Sequence, residues 1–262
     1  MAGAAPTSDS LEWGFLRKLI SNAARATAEG ASVIARFSEY GDQVTQGLTA
    51  KQHKLADEGS YYVCRSPTPG TGLATIAAPT AVVDTSPFIL ITNGNAAGGQ
   101  NIIPDYIKLI CTAAGTGGTS LNVTTKLDVI PRYSSGGAGG SNTGLATILG
   151  GPWSTNTSRL GGSNALIFAG ALVAVAASQQ RTIMSTRLRS AIPVVNDEYF
   201  LNFGDSSPML DGVLVSGAAI AQRVVPHPPT VIAPGHTLAV HLWLPAQSVA
   251  GSYEVEIGYI ER

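Results

Sequence analysis

Hydrophobic and polar residues follow two different rhythms along this chain, and the change falls near residue 60. Before it, apolar residues recur every three or four positions. Leu11, Phe15, Leu16, Leu19, Ile20, Ala23 and Ala24 form such a stripe, which predicts an amphipathic helix. Asp9 is placed to cap it, and Glu12 has the capping-box spacing to reach back to the cap. A second helical stretch is expected from about Ala31 to Tyr40, with Val33, Ile34 and Phe37 on one side, Gly30 as the break and Gly41 as the stop. The polar stretch Gln43–Gly59 reads as a linker. Residues 1–59 are therefore expected to form a helical N-terminal arm and linker.

From Ser60 the period becomes two. Strands are predicted at Ser60–Arg65, Leu73–Asp84, Phe88–Thr92, Tyr106–Thr112, Ser120–Arg132, Ala165–Ser178, Thr182–Ser190, Tyr199–Phe203, Val213–Val224, Thr237–Leu244 and Ser252–Glu261. The alternation is cleanest in Ser120–Arg132, where Leu121, Val123, Thr125, Leu127 and Val129 oppose Asn122, Thr124, Lys126 and Asp128. That is the pattern of a strand with one buried and one wet face. Gly- and Pro-rich breakers separate nearly all segments: Pro67–Gly70, Asn93–Asn95, Gly115–Gly118, Gly136–Gly140, Gly150–Pro152 and Pro226–Pro229. Strands without intervening helices predict an all-β, antiparallel β-sandwich over residues 60–262. Long strands and unequal loops favour the jelly-roll type over an immunoglobulin-like one.

Composition narrows the class. Only 13% of the 262 residues are charged, against roughly 25% in an ordinary soluble domain. Gly, Ala, Ser and Thr take their place, so the surface is polar but cheap to desolvate against a partner. Net charge is −1, and residues 1–60 hold six basic against seven acidic side chains. A genome-binding arm would carry a basic run to neutralise phosphates, so no nucleic-acid partner is expected. The longest apolar run, Ala165–Ala177, is interrupted by Gly170 and is too short for a membrane helix, which needs about 20 residues; no membrane partner is expected. The two cysteines, Cys64 and Cys111, lie in apolar strand-like stretches and are expected to be buried free thiols.

Candidate chemistry is sparse. Gly204-Asp205-Ser206-Ser207-Pro208 shares its first three residues with the nucleophile segment of chymotrypsin-like proteases. Its serine, however, has only the linker residue His53 upstream as a base. His227, His236 and His241 are close in sequence, but His236 and His241 are expected on opposite faces of a strand and His227 in a loop. Asp197, Glu198, Asp205 and Asp211 lack the spacing of a calcium loop. Gly136–Gly140 opens no helix and makes no phosphate cradle. No catalytic residue, metal or cofactor is expected from these features. Asn122 and Asn156 match the glycosylation pattern, the first inside a strand. Trp153, in a Gly-Pro-Trp-Ser-Thr-Asn loop, is the candidate for stacking on a sugar.

Helical Ser10–Tyr40, punctuated strands from Ser60 and a closing strand Tyr253–Glu261 together form a layout that resembles the jelly-roll structural proteins of virus particles. The nearest likeness is to bacteriophage capsid cement or decoration proteins. The resemblance implies a non-enzymatic homotrimer, made in the host cytoplasm, that becomes part of the virion and binds the capsid shell protein and copies of itself. The neutral arm points to protein contact rather than genome contact, through Leu11, Trp13, Phe15, Leu16, Leu19, Ile20, Val33, Ile34 and Phe37. A shell protein of the same fold is the related alternative. A receptor- or carbohydrate-binding module using Trp153 is the alternative of a different class.

Overall fold

The computed structural model describes residues 51–75, 80–131, 150–158, 162–172, 179–204 and 222–262. The predicted arm helices, and with them Leu11 to Phe37, lie outside the described residues. One short helix, α1 (Lys51–Asp57), precedes the strands. These are β1 (Tyr61–Arg65), β2 (Leu73–Ala74), β3 (Ile89–Asn93), β4 (Ile102–Ala113), β5 (Thr116–Gly117), β6 (Leu121–Asp128) and β7 (Gly150–Ser154). They continue with β8 (Ala165–Ala169), β9 (Gln180–Arg189), β10 (Glu198–Phe203), β11 (Gln222–His227), β12 (Thr237–Trp243), β13 (Gln247–Val249) and β14 (Ser252–Glu261).

Two sheets carry the fold. The seven-stranded sheet has the order β11-β10-β4-β14-β1-β7, with β2 also on β14; the five-stranded sheet has the order β8-β3-β12-β6-β9. β13 and β5 form a separate small ribbon. Every pairing among the described strands is antiparallel except β10 with β11. Four pairs are nested about one connection: β6 with β9, β4 with β10, β3 with β12, and β1 with β14. The chain thus forms one long antiparallel ribbon that doubles back between β6 and β9. Rolling that ribbon brings β14 beside β4 and β12 beside β6, which closes the two sheets.

The core lies between the sheets. Tyr62, Cys64, Ile107, Leu109, Leu201, Tyr253, Val255, Ile257 and Tyr259 face it from one side; Ile89, Ile91, Leu121, Val123, Ile167, Leu188, Leu238, Val240 and Leu242 face it from the other. Burying each large aliphatic side chain is worth about 1.5–3 kcal/mol. Tyr62 stacks on Tyr259 at a centroid distance of 5.7 Å, and Phe88 meets Tyr253 edge-on at 5.8 Å. Cys64 and Cys111 are buried and free, in line with their apolar settings in the sequence. Burial pushes the Cys64 thiol up to about 12 and the Cys111 thiol up to about 11, which makes both unreactive at neutral pH.

Polar groups also join the layers. At the β9–β10 corner the fully buried Asp197 carboxylate pairs with Arg189, accepts from the Tyr199 hydroxyl at 2.9 Å and accepts from the Val194 N–H at 2.7 Å. Across the core, His227 Nε2 lies 2.7 Å from Thr125 Oγ1, and its Nδ1 lies 2.8 Å from the Pro228 carbonyl. A carbonyl only accepts, so Nδ1 donates to it; burial lowers the His227 pKa and favours the neutral ring, in which Nε2 accepts from the threonine. Near the C-terminus, buried Glu261 accepts from Asn95 Nδ2 at 2.8 Å and from the Asn164 N–H at 3.3 Å, tying β14 to two loops.

Several expectations are corrected. The latter part of the expected linker is α1, closed by a Schellman motif: Ser60 N–H donates to the Leu55 carbonyl and Gly59 N–H to the Ala56 carbonyl. Gly59 sits at φ 77°, the left-handed turn that the motif requires. Leu55 anchors the helix against Tyr61 and Ile260. The strand expected over Leu73–Asp84 is limited to Leu73–Ala74 among the described residues, and Thr80–Pro87 runs irregularly. His227 is not a loop residue but the buried end of β11, packed on Phe203 at 4.0 Å between centroids. In β6, Val129 lies beyond the strand and is exposed, while Asn122 and Thr124, expected on a wet face, are buried.

Candidate functional site

Period-two alternation sends every second side chain of the seven-stranded sheet away from the core, and strand register sorts these into rows. One row reads Trp153, Val63, Gly258, Tyr106, Asn202, Pro226 across β7, β1, β14, β4, β10 and β11. The next reads Arg65, Glu256, Lys108, Phe200, Val224. The third reads Glu254, Ile110, Glu198, Gln222. Aromatic rings and charges of both signs thus cover one broad face, which is the candidate site.

Opposite charges meet along these rows. Lys108 Nζ lies 3.5 Å from Glu198 Oε1 and 5.3 Å from the centre of the Phe200 ring. Tyr106 donates its hydroxyl to Glu256 Oε1 at 2.6 Å, and Tyr61 donates to Asp105 Oδ2 at 2.7 Å. Burial, reinforced by the bonded carboxylate, holds both phenols well above the usual tyrosine range. They remain donors at any physiological pH. Gly258 makes the packing of both tyrosines possible. A Cβ there would lie 2.3 Å from the Tyr106 ring and 2.6 Å from the Tyr61 hydroxyl. Beside it, Gly258 faces Tyr106 but Tyr259 faces Pro104, so Asp105 is the extra residue of a bulge and is swung towards Tyr61.

Arg65, Lys108, Ile110, Glu254 and Glu256 line a groove of about 40 Å³. A site that engulfs a small ligand has roughly 300–1,000 Å³. The groove has room for ordered water but not for a sugar ring or cofactor.

Trp153 lies at one edge of the face. It belongs to the edge strand β7, not to a loop, opposite Val63, and its side chain is half exposed. The following segment is fastened down: Thr155 N–H donates to the Tyr61 carbonyl at 3.2 Å, and Asn156 Nδ2 donates to the Asp57 carbonyl at 2.9 Å. A glycan on Asn156 would displace that last bond. Asn122, the other match to the glycosylation pattern, is buried in β6 and donates to Ser120.

The remaining candidates are not brought together. His53 is exposed on α1, whereas Gly204 ends the described part of its segment, so Asp205 to Pro208 and Asp211 lie outside it. His236 Nδ1 faces the Asp128 carbonyl at 3.2 Å and His241 is buried within β12, each apart from His227. Asp197 is committed to Arg189 and Tyr199, while Glu198 points to the outer face beside Lys108. Among the described residues no three His, Cys, Asp or Glu side chains converge as metal ligands would. No family model, curated protein or solved structure matches this chain.

Sequence reasoning finds Trp153 but misses Tyr106, Lys108, Phe200, Glu254 and Glu256 as a group. Their signal is present strand by strand, in the polar positions alternating with Ile107, Leu109, Val255 and Ile257. Which strands stand side by side is not.

Proposed function

We propose that this chain is a jelly-roll structural protein of a virus particle, acting as a capsid cement or decoration protein on an icosahedral phage shell. The supporting observation is the nesting of β1·β14, β3·β12, β4·β10 and β6·β9, an eight-stranded rolled ribbon with its strands divided between two sheets. Double-sheet jelly rolls, which serve as viral capsid and lectin domains, also divide eight strands between two sheets, and this likeness supports the reading. A shallow, mixed-charge outer face and a charge-poor chain suit contact with protein surfaces. The partners in this reading are the capsid shell protein and further copies of the chain as a homotrimer, with residues about 10–50 as the attaching arm.

The test is incorporation into particles. A chain lacking residues 1–50 is expected to remain folded yet be lost from purified particles that retain the full-length chain. Retention of the truncated chain at the normal level would sink the attachment role of the arm.

A second reading, a receptor- or carbohydrate-binding module of a virion, is favoured by one observation: the half-exposed Trp153 indole at the edge of an aromatic and carboxylate-bearing face. Saturable binding on a glycan screen, abolished by Trp153→Ala, would establish it over the purely structural role.

A further inference from the structure

Strand directions gather four connections at one end of the sandwich. Ala113 at the end of β4 pairs with Ser252 at the start of β14, and Ile110 with Glu198 at the start of β10. In the other sheet, Leu121 at the start of β6 pairs with Arg189 at the end of β9, and Asn122 with Trp243 at the end of β12. The segments Ser66–Gly72, Ala114–Ser120, Ser190–Asp197 and Leu244–Gly251 therefore share that end. Gly118 N–H donates to the Ala246 carbonyl and so joins two of them, while Asn196 N–H donates to the Cys111 carbonyl of β4 and Gly70 N–H to Glu254 of β14.

These segments contain a single charged residue, Asp197, and it is fully buried against Arg189 and Tyr199. What they expose is uncharged: Ile192 is 36% exposed, Val194 37%, Val195 45% and Val249 53%, beside the neutral polar Thr68, Thr71, Thr116, Thr119, Ser190, Asn196 and Ser248. Charges begin only at the margin, with Arg65, Glu198 and Glu254 on the neighbouring sheet face. The apolar turn is held rigid. Val194 N–H donates to the Asp197 carboxylate and Asp197 N–H to the Val194 carbonyl, with Asn196 between them at φ 74°. A turn already fixed in shape loses little conformational freedom when a partner covers it.

We propose that this uncharged end is the surface through which copies of the chain associate, with Val194, Val195 and Val249 at the centre of the contact. The proposal rests on the reading that copies of the chain pair with one another, and it names the surface they use. Charge decides the occupant. Around a symmetry axis every charge near the centre approaches its own copy, so a self-associating centre is best neutral. An acidic or nucleic-acid partner would instead call for basic side chains, and these segments have none. The arrangement of an apolar middle and a charged margin is that of a protein interface.

Sedimentation of the full chain over a wide concentration range tests this, comparing wild type with Val194→Glu/Val249→Glu and with Arg181→Glu, an exposed position at the other end of β9. Wild type and Arg181→Glu are expected to associate alike, with the double variant at least about 100-fold weaker. If the double variant associates as wild type does, this surface is wrong while self-association stands. A wild type that stays monomeric throughout overturns both. Should the double variant lose its fold, judged by its thermal transition, Val195→Cys decides. Both native cysteines are buried, so a bifunctional maleimide would link copies through the new thiol only where the ends meet. Absence of linked species at concentrations where wild type associates overturns the proposal.

Discussion

The two sheets differ in what they present on the side away from the core. On the seven-stranded sheet those positions include Tyr106, Lys108, Ile110, Phe200, Glu254 and Glu256, all partly exposed, beside Tyr61 and Ile260, which are buried against Leu55 of α1. On the five-stranded sheet they include Leu90, Thr92, Phe168, Thr237, Ala239 and His241, all buried. Leu90, Phe168, Leu172 and Ala239 form an apolar cluster of their own there. Two polar pairs on that face are bonded: Thr92 and Thr237 lie 3.0 Å apart oxygen to oxygen, and Trp243 Nε1 donates to Thr124 Oγ1 at 3.2 Å. One sheet is thus half wet, whereas the other is covered on both faces along β8, β3 and β12 and open along β9, where Thr182, Ser185 and Arg187 are exposed. Strands of the first carry long charged side chains between apolar ones, whereas β3 reads Ile-Leu-Ile-Thr-Asn with every residue buried.

The contrast can be broken or sharpened by substitution. The largest effect is expected where the sheets are pinned together. Asp197→Ala leaves Arg189 and the Tyr199 hydroxyl without their shared acceptor and should cost about 3–5 kcal/mol in denaturant unfolding, because it strands a partly buried cation. Next, Leu90→Ala should cost about 2–5 kcal/mol, as much as Ile91→Ala on the core side of the same strand. A cost below about 1 kcal/mol for Leu90→Ala would mean that its face is not truly closed.

On the wet face, Gly258→Ala should cost about 1–3 kcal/mol, since the added methyl must displace Tyr106 and the Tyr61 hydroxyl. Protein lacking the tyrosine–carboxylate bonds would also show Tyr106 ionising at lower pH in ultraviolet titration. Smaller still is the effect of acid on the His227–Thr125 link. Burial lowers the folded pKa of His227 below its ordinary 6.5, so below that pH the unfolded chain takes up a proton that the folded chain resists. The His227 contribution is intact above about 6.5 and falls as pH drops, by at most about 1.4 kcal/mol per pH unit. The melting temperature of His227→Gln should therefore decline less between pH 6.5 and 5 than that of wild type. Trp153→Ala and Lys108→Ala should change stability by no more than about 0.5 kcal/mol, because neither supports the core.

Much of the sandwich is legible in the alternation of apolar and polar residues alone. β1, β9, β10 and β14 match predicted segments closely, because period two survives wherever one sheet face is wet, and β12, buried on both faces, matches as an apolar run. The misses have local causes. Seven residues of α1 are too few to display helical periodicity, although Gly59 after Leu55 marks its end. Thr80–Pro87 is apolar enough to imitate a strand, but Pro87 and Asp84 keep it out of a ladder, and Asp84 pairs with Lys126 instead. Flanking prolines make His227 look like a loop residue. In the fold, Pro226 sits in the edge strand β11, where a missing donor costs no ladder bond.

By itself the sequence determined which residues face the core along most strands, the low charge of the chain and the absence of a basic arm, since each is a property of spacing or composition. Only the tertiary structure decided that Tyr106, Glu256 and Arg65 are neighbours, that Leu90 is as buried as Ile91, and that four uncharged segments meet at one end. Those facts depend on which distant strands pair. Pairing is set by the whole rolled ribbon minimising exposed apolar surface and unpaired backbone, and no local window of the chain contains that information.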